Sequence, residues 1–118
     1  MKVKKRRADG VVQCYNIKNC GIRRISTMEE LKIFWKRHGI VAVPKESHEM
    51  FGYDGLHYML NKEFGLRIPF KTIWYDKNLK GELLLRTLKH ETEEMLEMMC
   101  GKHYFPAHRV AFRDEMRK

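Results

Sequence analysis

Residues 82–100 read ELLLRTLKHETEEMLEMMC, and the periodicity of this stretch organises the rest of the chain. At 3.6 residues per turn, Leu84, Leu85, Leu88, Met95, Leu96 and Met99 gather on one broad stripe. His90, Glu94 and Glu97 fall on the opposite side, with Glu91 at the border. The spacing predicts a helix with one face in the core; the other face is either a site or a solvated surface.

Working outward, Gly101 breaks this helix, and Tyr104-Phe105-Pro106 opens a last one with proline at a first helical position, carrying His108, Ala111, Phe112 and Glu115 on one side. Upstream, Pro69 to Asp76 (PFKTIWYD) reads as a strand that closes in a turn at Asp76-Lys77-Asn78. Before it, Asp54 can cap a helix whose apolar positions Leu56, Met59, Leu60 and Phe64 recur at helical spacing up to Gly65. Ile40 to Val43 is a short apolar run ended by Pro44, consistent with a buried strand.

Ser26 with Glu29 and Thr27 with Glu30 offer two overlapping capping boxes ahead of Leu31, Phe34 and Trp35, with Gly39 as the stop. Residues 11–17 and 20–25 suggest a hairpin. The expected fold is therefore a single α+β domain over 11–118, a small and mainly antiparallel sheet packed by about four helices. A basic arm over 1–10 precedes it, and the candidate site falls in 70–118.

The 118 residues suit one modest core, and 43% hydrophobic with 33% charged residues describes a folded, soluble protein. No apolar run approaches the roughly 18 residues that cross a membrane. The basic opening has no apolar segment behind it, so the expected compartment is the cytoplasm. Cys14, Cys20 and Cys100 show no C-x-x-C pairing, which signals neither a disulfide framework nor a cysteine zinc knuckle.

The chemistry concentrates in the main helix. A histidine and a carboxylate four residues apart on a helix project side by side, and zinc accepts both donors at about 2 Å. His90 and Glu94 have that spacing. A catalytic zinc takes about three protein ligands and keeps a position for water, so one further donor is required, and His108 is the best candidate. Glu91, next to His90, would stand beside the bound water as general base.

Thr72-Ile73-Trp74-Tyr75-Asp76, then Asn78-Leu79, followed by Arg86 to Glu94 (RTLKHETEE), resembles the strand and active-site helix of small zinc metallopeptidases of the zincin superfamily. The likeness is greatest to the minimal zincins of mobile genetic elements and stress responses, and it covers roughly the last fifty residues. It implies an edge strand that holds a peptide substrate, His90 as ligand, Glu91 as base, and Glu94 at the second-ligand position. The second histidine of the H-E-x-x-H signature is replaced by Glu94, giving H-E-x-x-E; with His108 the set would be two histidines and one glutamate. The implied cofactor is zinc and the implied partner a protein or peptide substrate.

Other readings remain open at this level. A glutamate-rich amphipathic helix produces H-E-x-x-E by chance, with a solvated polar face. His38, His48 and His57 have no ligand spacing between them and read as structural. The net charge of +9 points to nucleic acid as an alternative partner. Lys2, Lys4, Lys5, Arg6 and Arg7, with Arg23 and Arg24 on the expected hairpin and Lys36 and Arg37 at the end of the first helix, would form the phosphate-contacting surface.

Overall fold

The computed structural model describes residues 21–101. The basic arm, the first expected hairpin strand and the last expected helix with His108 lie outside the described residues. Within them the fold is α+β, as expected, with a three-stranded sheet and three α-helices.

The first helix, α1 (Met28–His38), starts where one of the two capping boxes forms. The Glu30 amide donates to Thr27 Oγ1 at 3.1 Å, and the Glu30 carboxylate accepts from the Thr27 amide at 3.2 Å and the Ser26 amide at 2.8 Å. These bonds favour the charged carboxylate and hold its pKa below the usual value. Gly39, at φ 72°, closes the helix in the left-handed conformation that glycine adopts without a Cβ penalty.

Strands β1 (Val41–Lys45), β2 (Gly55–His57) and β3 (Thr72–Asp76) form a sheet in the order β1-β3-β2. β1 runs parallel to β3, in register from Val41↔Thr72 to Lys45↔Asp76, and β2 runs antiparallel to it. The sheet is therefore mixed rather than mainly antiparallel. The connection over 46–71 explains this, because a parallel return needs about a dozen residues or more. Pro44 does not end β1, as the sequence suggested, but sits within this edge strand. The Val41 amide donates to Lys71 and the Lys45 carbonyl accepts from Lys77, so the main-chain groups at 41 and 45 face inward. Pro44, one residue out of phase, turns its nitrogen away from the ladder.

Two further expectations are corrected. Ile22–Arg24 is a 3-10 turn instead of a hairpin strand, because Gly21 at φ 93° starts a tight turn whose bonds carry Ile22 and Ile25 into the core. Residues 54–65 are not one helix: β2 is followed by a 3-10 turn, Tyr58–Leu60, and by α2 (Asn61–Phe64), a single helical turn. Pairing with β3 outweighs the helical spacing of Leu56 and Leu60, and both are nevertheless buried.

The last described helix, α3 (Gly81–Met99), matches the expected stretch to within about a residue. Leu88, Met95, Leu96 and Met99 pack with Leu31, Phe34 and Trp35 of α1 and with Ile73 of β3 in the main core. The Trp35 Nε1–H donates to Thr92 Oγ1 at 2.9 Å, and that hydroxyl donates to the Leu88 carbonyl at 2.7 Å, which fixes the two helices in register. A second cluster, Met50, Leu56, Leu60, Ile68 and Met98, packs around β2. No helix among the described residues is long and apolar enough to cross a membrane.

Candidate metal centre

Strand alternation sends Gly55 and His57 to one face of β2 and Leu56 to the other. On the first face lies α3, and the approach is close because residue 55 lacks a side chain. A Cβ there would stand 2.6 Å from Cγ of Glu91 and 3.1 Å from Cγ2 of Thr87. Two residues further along β2, His57 meets Glu94, which lies one helical turn beyond Glu91. Its Nε2 is 2.8 Å from Oε1 of Glu94. His57, Glu91 and Glu94 offer ligand atoms that all lie within 4.8 Å of one another, and this group could hold a metal ion.

The group is interior: His57 is 0%, Glu94 1% and Glu91 8% exposed. Glu93 and Glu97 are buried as well, so the polar side of α3 is no solvated surface in the second half of the helix. Removing carboxylates from water is costly unless donors or a counter-charge compensate. Arg23 supplies one such charge, with Nε 3.6 Å from Oε2 of Glu93. His90 lies beside Glu94, with Nε2 3.5 Å from Oε2.

Burial is the largest influence on His57 and pushes its pKa down, more than the hydrogen bond and the charge of Glu94 pull it up; His90 pushes it further down. At neutral pH His57 is therefore a neutral imidazole. Nε2 is the ring nitrogen on the side of Glu94. Nδ1 is buried and has no hydrogen-bond partner among the described residues.

The arrangement differs from the one expected. Glu94 keeps its place in the donor group. Glu91, expected as a general base, falls among the donors. His90, expected as a ligand, is adjacent to Glu94 but outside the group of three, and His108 lies outside the described residues. His57, read as structural, is the imidazole that the fold brings in. A glycine inside a strand marks a close backbone approach, and Gly55 ahead of His57 was the signal available. The ring of His38 lies 4.3 Å from that of Phe34, and His48 is exposed.

β3 is the central strand, paired on both sides, so it cannot be the substrate-holding edge that the resemblance implies. Of the proposed phosphate-contacting residues, Arg23 turns toward buried Glu93, while Arg24, Lys36 and Arg37 are exposed. Lys2, Lys4, Lys5, Arg6 and Arg7 lie outside the described residues. No protein-family model, curated protein or solved structure matches this chain.

Proposed function

We propose that the chain is a metalloprotein that holds one zinc ion in the seam between β2 and α3, on His57, Glu91 and Glu94. The observation that carries this reading is the buried convergence of one imidazole and two carboxylates within 4.8 Å of one another. A further feature of the seam supports it, the absence of a side chain at Gly55, which lets Glu91 approach the strand closely. Nitrogen and oxygen donors of this kind suit zinc, which takes four ligands in a tetrahedron.

When bound, zinc supplies Lewis acidity and lowers the pKa of a coordinated water, which is the chemistry of a peptidase. In this seam Glu91 serves as a ligand, so hydrolysis would need a base other than Glu91. Metal binding is therefore the primary function proposed and peptide hydrolysis a secondary one.

The test is the metal content of tag-free protein purified from zinc-supplemented cells, beside His57→Ala and Glu94→Gln. About one zinc per chain, lost in both variants, is the expected result. A metal-free wild-type protein, or zinc retained by both variants, refutes the reading.

A further inference from the structure

Glu94 has its two oxygens in different surroundings. Oε1 faces His57 at 2.8 Å and Oε2 faces His90 at 3.5 Å, and the two imidazoles approach from different elements, β2 and α3. Resting on the metal-binding reading above, we infer that His90 is a positioning residue, which holds Oε2 of Glu94 so that Oε1 stays aimed at the ion shared with His57 and Glu91.

Three observations favour this role over direct ligation. Among the described residues, the donors that lie within 4.8 Å of one another are His57, Glu91 and Glu94, and His90 is not one of them, although it is four residues from Glu94 on the same helix. Its neighbour in the site is the carboxylate oxygen turned away from His57. Its side chain is only 10% exposed and that of Glu94 2%, so water has little room to take over the task. Ligating carboxylates are commonly held by such partners, and loss of one lowers metal affinity by about 10- to 100-fold without changing the ligand count. H-E-x-x-E is then read as a positioning residue, a ligand, two spacers and a second ligand.

The experiment uses the full chain with zinc and with cobalt(II) as probes. Zinc affinity is measured by competition with a chromophoric chelator, and the ligand set is read from the visible bands of the cobalt(II) form. For His90→Ala the expected outcome is a loss of about 10- to 100-fold in zinc affinity with cobalt bands unchanged in position and intensity. His90→Gln, whose amide can donate to Oε2, should recover most of that loss. His57→Ala should abolish the cobalt spectrum.

Thermal unfolding of the metal-free variants identifies any that fail to fold, and His90→Gln carries the test if His90→Ala does. The inference is overturned if removing His90 alters the cobalt bands without rescue by glutamine, which would make it a ligand. Unchanged affinity in His90→Ala, or two ions per wild-type chain with the second lost on removing His90, overturns it equally. A wild-type protein that binds neither ion refutes the site itself, a result distinct from these.

Discussion

Replacing Gly55 by alanine would place a methyl carbon 2.6 Å from Cγ of Glu91, 3.1 Å from its Cδ and 3.1 Å from Cγ2 of Thr87. Carbon atoms rest at about 3.5–4.0 Å from one another, so the nearest contact is short by about 1 Å. Either β2 and α3 separate by that distance or the Glu91 side chain leaves the seam. Separation is overpacking of a buried contact and costs about 1–3 kcal/mol, set against about 0.4–1 kcal/mol gained from the stiffer unfolded chain. The net loss, up to about 2.5 kcal/mol, lowers the melting temperature by up to about 10 °C at roughly 4 °C per kcal/mol for a domain of this size.

Displacement of Glu91 would spare stability but remove a donor, so zinc affinity should fall in either case. Calorimetry of the metal-free protein and a zinc competition titration measure the two effects. In a Glu91→Ala background most of the clash is gone, and the stability cost of Gly55→Ala should shrink to below about 1 kcal/mol. A Gly55→Ala protein with both the melting temperature and the zinc affinity of the wild type would refute the proposed packing of β2 on α3.

Other outcomes follow from the same contacts. Thr92→Val leaves the Trp35 Nε1–H, now bonded at 2.9 Å, without its acceptor in the core, and should destabilise the fold by about 1–3 kcal/mol in urea titration; a cost near zero would mean that the bond does not hold α1 to α3. Because burial holds the pKa of His57 below that of an exposed histidine, the unfolded chain takes up a proton on acidification before the folded one does. Stability of the metal-free protein should therefore decline as pH falls below about 6.5, with a contribution of up to about 1.4 kcal/mol per pH unit that is absent from His57→Gln. Equal slopes for the two proteins would contradict a neutral buried His57. Zinc at about 100 times its dissociation constant should stabilise the fold by about 2.7 kcal/mol, reversed by chelator; a melting temperature indifferent to both would count against the site.

Much of the backbone was legible from short-range pattern. The box at Thr27 and Glu30, the stop at Gly39, the strand before Asp76 and the long helix up to Met99 each follow from signals within a few residues of one another. The stretch over 54–65 misled because Leu56 and Leu60 are four apart, as in a helix, while β2 is only three residues long and too short to show alternation. Its strand character comes from β3, which lies some fifteen to twenty positions further on.

The site divides along the same line. Helical periodicity places His90, Glu91 and Glu94 close together on α3, because side-chain direction along a helix is a local property. What faces them is set by the packing of β2 on α3. That packing brings His57 to Glu94 across 37 residues of chain. Periodicity along one element says which residues share a face. Only the closed sheet determines which distant strand covers that face, and here it sets His57 beside Glu94.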